Sequence, residues 1–251
     1  MPGFDLNCDL GEGESPPRTL ALLRLVTSAN VACGGHAGDP ETMERAARHA
    51  LRLGVAVGAH PGWPDRAGHG RAEVTPSPAG LVTLLLQQVS ALDTVARALG
   101  GSVRHLKLHG ALYHATDRDP ALAEAYLGAV RRWWPRLAVF ARSGGATALR
   151  ARELGLAVQE EVFLDRAYRR DGSLVPRGEP GALLVARDVP PRLGQISLGF
   201  VTSADGAKVP LRADTLCVHA DSPGALAIAR LASAAQRSAA GGAFTNVGAR
   251  R

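Results

Sequence analysis

Aromatic side chains are scarce in this chain: three Trp, three Tyr and five Phe among 251 residues. Cysteine is as rare, and lysine almost vanishes, since 27 of the 29 basic residues are arginine. Each shortage excludes something. Three cysteines, Cys8, Cys33 and Cys217, are an odd number spread far apart, so no disulfide framework is expected and a reducing cytoplasm is the expected compartment. No apolar run reaches the roughly 18 residues of a membrane span. The start, MPGFDLNCDL, lacks the basic-then-apolar order of a secretory signal, so no membrane role is expected. The net charge of +6 comes from scattered arginines, without a dense basic run or interleaved aromatics, so nucleic acid is not an expected partner. No Walker A loop occurs, which argues against nucleotide binding of the P-loop kind, and no G-x-G-x-x-G follows the first strand.

What remains is a rhythm. Short apolar strand patterns alternate with amphipathic helix patterns. Strands are expected over 4–10, 30–34, 55–60, 103–109, 137–141, 156–163 and 214–220. Helices are expected over 19–29, 39–54, 79–99, 119–134, 144–154 and 222–239. Asp39 is a natural N-cap, with Pro40 at the first helical position and Gly54 closing the helix. Strands apolar on both faces and separated by helices predict a parallel sheet covered by helices. About seven β-α pairs in 251 residues predict one domain, a closed or nearly closed TIM-like (β/α)7 barrel. Residues 164–213 break the rhythm and read as an insertion of loops and small hairpins, with tight turns at Asp171-Gly172 and Asp205-Gly206. The tail GGAFTNVGARR reads as frayed.

Ligand sites of parallel α/β folds gather at the carboxyl ends of the strands. Those ends carry Asn7, Asp9 and Glu12; His36 and Asp39; His60 and Asp65; Lys107 and His109; Glu161, Asp165 and Arg166; and His219 and Asp221. Taken singly, Asp39 is explained as a helix cap, Asp65 as a turn residue and each histidine as a hydrogen-bonded structural group. Their convergence on one rim predicts a polar active site. Lys107 stands out against the arginine bias, and a compact ammonium differs from a planar fork in reach and geometry. Arg71 sits in the glycine-rich loop GHGRA, which suits an anionic group. His36, His60 and His109 with Asp5 or Asp9 would also suit a metal, although no His-x-x-x-His spacing points to one, so the metal is left open.

At these residues the chain resembles a known family. DLNCDLGE, SANVACGGHAGDP, GVAVGAHPGWPD, LKLHGALYH, EVFLDRAY and DTLCVHAD are similar, in order and along essentially the whole length, to the LamB/YcsF lactam-utilisation family. The resemblance implies a (β/α)7 barrel related to glycoside hydrolases and deacetylases. It implies ATP-dependent ring opening of 5-oxo-L-proline to L-glutamate, with ATP used by an assembled complex that includes the 5-oxoprolinase B and C subunits. Such chemistry needs a general base, an anion pocket and a proton donor for the departing nitrogen. Asp9, Glu12, His36, His60, Lys107 and His109 are the expected catalytic set. Asn7, Asp39, Asp65, Arg71, Glu161, Asp165 and His219 are the expected substrate-binding set. A stand-alone metal-dependent deacetylase or sugar hydrolase on a similar barrel is the alternative. The chain departs from the family pattern at Gly35, where the family carries Phe, and in GHGRA, where it carries GFGRR; both positions are expected on the pocket wall.

Overall fold

The computed structural model describes residues 4–242, with side chains to Ser238. From residue 243 on, the tail expected to fray lies outside them. The chain runs β1 (Asp5–Leu10), α1 (Pro16–Leu23), β2 (Ser28–Ala32), α2 (Pro40–Arg52), β3 (Ala56–His60), α3 (Pro78–Ala98), β4 (Val103–Lys107), α4 (Gly110–Arg118), α5 (Pro120–Trp133), β5 (Ala138–Arg142), α6 (Ala146–Glu153) and β6 (Val158–Phe163). After β6 come α7 (Val189–Ser197), β7 (Phe200–Thr202), β8 (Lys208–Pro210), β9 (Thr215–His219) and α8 (Ala225–Gly242). Strands β1, β2, β3, β4, β5, β6 and β9 close into a barrel in that order, every neighbouring pair parallel.

Local chemistry explains most helix starts. Helices α1, α2, α3, α5 and α7 open with proline at the first or second position, where its missing N–H costs nothing. Asp39, Ser77 and Asp119 accept from the first free backbone N–H groups of α2, α3 and α5. Helix α3 is long and apolar enough, by length and composition, to cross a membrane. Here its face of Leu81, Leu84, Leu85, Val89 and Leu92 is buried in the main core, and it packs against α2, α5 and β3.

Three expectations give way. The helix over 19–29 stops at Leu23, and β2 begins at Ser28, two residues earlier than the pattern suggested. Tertiary bonds decide it: the Thr27 and Ser28 hydroxyls both donate to Asp5 Oδ1, and Thr27 N–H donates to the Leu6 carbonyl. Helix α4 is unexpected, because its nine residues follow directly on a strand-like run and begin at a glycine. The 164–213 insertion holds the expected hairpins, Tyr168 opposite Leu174 and β7 antiparallel to β8, but also the helix α7.

Candidate active site

Period-two alternation governs the barrel interior. On β1, Leu6, Cys8 and Leu10 belong to the apolar core, while Asn7 and Asp9 take part in a buried polar network. Register then sets Asp9 beside Asn30 and His219, Asn30 beside Gly58, and Gly58 beside His105. Glycine is required at position 58, since a Cβ there would stand 1.9 Å from His105 Nε2. TIM barrels usually fill this space with branched apolar side chains. This one fills much of it with hydrogen-bonded polar groups.

Lys107 is the hub. Its Nζ donates to Asp9 Oδ1 at 2.8 Å and to Cys217 Sγ at 3.1 Å, and it lies 2.9 Å from Glu161 Oε1. The Glu161 contact is an ion pair whose angles fall outside those of a hydrogen bond. Asn30 Nδ2 donates to both Asp9 Oδ1 and Asn7 Oδ1 at 2.7 Å, and Tyr113 donates to Glu161 Oε2 at 2.9 Å. Lys107, Asp9 and Glu161 are each 2% exposed or less. Burial alone would lower the Lys107 pKa, but Asp9, Cys217 and Glu161 outweigh it and hold the ammonium charged. Burial alone would likewise raise Asp9, yet His60 and Lys107 hold its carboxylate well below the usual range. Asp9 is therefore an ionised carboxylate at neutral pH, with Oδ2 3.3 Å from His60 Nε2 and 3.8 Å from His219 Nε2.

His219 is oriented from behind. Its Nδ1 lies 3.0 Å from Asp165, which also accepts from the His219 backbone N–H and the Ser222 hydroxyl. Asp165 is buried, which would raise it, but His219 and Ser222 bring its pKa down to about 2.

Beside this centre sits a second buried cluster. Glu12 Oε1 lies 2.9 Å from His36 Nε2, 3.1 Å from His109 Nδ1 and 3.4 Å from His60 Nε2. The His36 and His109 rings stack at 3.6 Å. Burial presses His36 down to about 3 despite Glu12, and it lowers His109 as well. His60 moves the other way: burial opposes its charge, but Asp9 and Glu12 raise it.

A cleft of about 770 Å³ opens over Asp9, His60, Lys107, His109 and His219. It is also lined by Arg71 and by Arg166 and Arg177 of the 164–213 insertion. Arg71 and Arg177 share one carboxylate, Asp221. Arg166 is 5% exposed and donates to the Val175 carbonyl, while its Nε and Arg177 Nη2 are buried without a partner among the described residues. Burial and the neighbouring Arg177 lower Arg166 to about 10. Arg166 and Arg177, with N–H groups left unpartnered among the described residues, stand with Arg71 as a natural seat for an anion.

The structure thus brings together Asp9, Glu12, His36, His60, Lys107, His109, Glu161, Asp165 and His219, with Arg71 on the cleft wall. Asn7 lies beneath them, fully buried, where it fixes Asn30. Two expected binding residues belong elsewhere. Asp39 is exposed and caps α2 by accepting from Thr42 N–H, and Asp65 closes its own turn by accepting from Gly68 N–H. Gly35 is not on the cleft wall either; it is buried against Gln88 and Gly62, and a Cβ there would stand 2.3 Å from the Gly62 carbonyl. Arg166, named at the end of the sixth strand, lines the cleft, and residues not singled out complete the arrangement: Asn30, His105, Tyr113, Cys217 and Arg177. Two-residue spacing from Lys107 and His219 was an available signal for His105 and Cys217.

Fold and site define a closed (β/α)7 barrel with an ionised, buried polar centre at the carboxyl ends of its strands. The chain belongs to the LamB/YcsF family, whose model matches residues 4–247. It is 46% identical over 232 residues to the 5-oxoprolinase A subunit of Methylococcus capsulatus, covering 90% of this chain and 89% of that one. It is 45% identical over 234 residues to the 5-oxoprolinase A subunit of Bordetella pertussis, covering 91% and 93%. The lactam utilization protein from Thermus thermophilus superimposes with a TM-score of 0.85 at 39% identity, over 95% of this chain and 97% of that one.

Proposed function

We propose that this chain is the hydrolytic A component of an ATP-dependent 5-oxoprolinase, which opens 5-oxo-L-proline to L-glutamate together with B and C subunits. The observation that carries the reading is the ionised Asp9 on the floor of a cleft walled by arginine, in a chain about 45% identical to proteins named for that component. A lactam is a resonance-stabilised amide, so coupling its opening to ATP is chemically sensible. Phosphorylation of the lactam oxygen makes the ring carbon electrophilic. Asp9 takes a proton from water as the oxygen adds to that carbon. The C–N bond then breaks while His219 gives a proton to the departing nitrogen. The acyl phosphate so formed takes up a second water and yields glutamate and phosphate.

Lys107 holds Asp9 ionised and in place. Arg71, Arg166 and Arg177 hold the phosphate or the substrate carboxylate, both of which match a guanidinium fork. The cysteines support a reducing cytoplasmic setting, since all three are free and buried. The test is glutamate release from 5-oxoproline and ATP by this chain with and without candidate B and C subunits. The reading expects release only with all three, and release equal with and without this chain refutes it.

A further inference from the structure

His105 precedes Lys107 by two residues on β4, so period two sets both side chains in the polar interior of the barrel. The ring is buried and stands behind the cleft rather than in its lining. It stacks on Phe140 of β5, with centroids 4.1 Å apart and planes 10° from parallel. On β3 the bare backbone of Gly58 leaves room for it. A slot this specific, cut for a polar ring that touches no reacting atom, calls for an explanation.

Hydrogen-bond direction in this interior is forced from both ends. Asp5 accepts from the Thr215 hydroxyl, so the Thr215 oxygen is free to accept from Asn7 Nδ2, at 2.7 Å. Asn7 therefore turns its Oδ1 to Asn30 Nδ2, also at 2.7 Å. At the other end the ionised Asp9 only accepts, so Asn30 must present it the same nitrogen, again at 2.7 Å. Both hydrogens of the Asn30 amide are then committed, and its oxygen faces His105 Nε2 at 2.7 Å. That nitrogen must carry a hydrogen. Burial, Lys107 and His60 bring the His105 pKa down to about 3, so at neutral pH the ring holds a single proton, and it sits on Nε2.

We propose that His105 is a positioning residue for Asp9: it donates Nε2–H to Asn30 Oδ1, fixes which end of that amide meets the carboxylate, and so keeps Asp9 Oδ1 occupied and Oδ2 as the oxygen that takes a proton. The inference rests on the reading of Asp9 as the base. The two ends of an amide are nearly alike in shape, so without a donor behind it Asn30 is free to turn over. Its oxygen would then stand against Asp9 Oδ1, acceptor against acceptor. Asp9 Oδ1 would keep only the Lys107 ammonium, at 2.8 Å. His60 on β3, Lys107 on β4 and His219 on β9 are the charged and titratable groups that face Asp9, and none of them replaces the lost N–H on β2. Misplacing a reacting group by about 1 Å is enough to slow a reaction about 100-fold.

The first arm of the test uses the full chain alone, labelled with ¹⁵N at histidine. NMR should show His105 as the neutral Nε2–H tautomer from about pH 5 to pH 8. A charged ring, or a hydrogen on Nδ1, overturns the proposal. The second arm is turnover in the complete system with B and C subunits. His105→Leu should lower kcat about 10–100-fold with KM little changed. His105→Gln, whose Nε2 reaches the same place, should restore most of the rate. In an Asn30→Ala background His105→Leu should add no further loss, because its effect passes through Asn30. Equal losses in the Leu and Gln variants, or a further loss on top of Asn30→Ala, overturn the proposal. Should the unaltered system release no glutamate, the reading of the function falls, and the Asp9 carboxyl carbon signal then decides the positioning role. That signal should move in His105→Leu and return in His105→Gln, and a signal unmoved by either overturns the proposal. Circular dichroism checks each variant, and should His105→Leu fail to fold, the tautomer and the activity of His105→Gln carry the test.

Discussion

Lys107 Nζ lies 2.8 Å from Asp9 Oδ1, and neither side chain is more than 3% exposed. A buried ion pair gains little stability over an apolar pair of the same shape, because desolvation offsets attraction. Its presence across the inside of a barrel therefore points to chemistry. The pair keeps a carboxylate ionised on the floor of a cleft, and Asn30 fixes the same oxygen that Lys107 holds. The other oxygen is left facing His60 and His219.

Lys107→Arg tests the point-charge role. A guanidinium is longer and planar and cannot sit between Asp9, Glu161 and Cys217 at the distances the ammonium keeps. Turnover in the assembled enzyme should fall about 100-fold or more, the size seen when one preorganised donor is lost. Lys107→Met removes one partner of a buried pair and should also lower stability by about 3–5 kcal/mol in urea unfolding.

Arg166→Met addresses the anion wall. A charge-assisted hydrogen bond is worth about 1.5–3 kcal/mol, or about 10–100-fold in binding. Steady-state kinetics should show KM rising by that factor with the melting temperature little changed, since Arg166 has no carboxylate partner among the described residues.

Asp39→Ala separates a cap from a ligand. Among the described residues its carboxylate hydrogen-bonds to Thr42 alone, at an exposed helix start. Thermal unfolding should register a loss of about 1 kcal/mol, with activity unchanged.

Asp165→Asn carries a pH signature. The folded pKa is about 2, below the ordinary value of 3.8. A depressed carboxylate contributes stability above its unfolded pKa and loses it as pH falls toward the folded value. The stability gap between the unaltered chain and Asp165→Asn should therefore shrink by about 2 kcal/mol between pH 5 and pH 2. Urea unfolding at the two pH values measures it.

Much of this arrangement was legible in the sequence because strand ends in a parallel barrel face one rim. Asp9, His36, His60, Lys107 and His219 follow from that rule alone. What the sequence hid depends on contacts distant along the chain. Arg177 lies in an insertion whose loops carry no period, and only the fold brings it and the strand-end Arg166 beside Arg71. The boundary between α1 and β2 was lost for the same reason, since Asp5, 22 residues away, decides where Thr27 sits. Asp39 and Asp65 misled in the opposite direction, because a helix cap and a turn residue use the same side chain as a ligand does.

The most direct measurement is turnover of Asp9→Asn in the complete system of this chain, B and C subunits, ATP and 5-oxoproline. Asparagine keeps the shape and the contact with Lys107 but cannot accept a proton from water. Glutamate formation should fall by about 10²–10⁴-fold with the fold intact by circular dichroism. A rate within a few-fold of the unaltered chain would contradict the account.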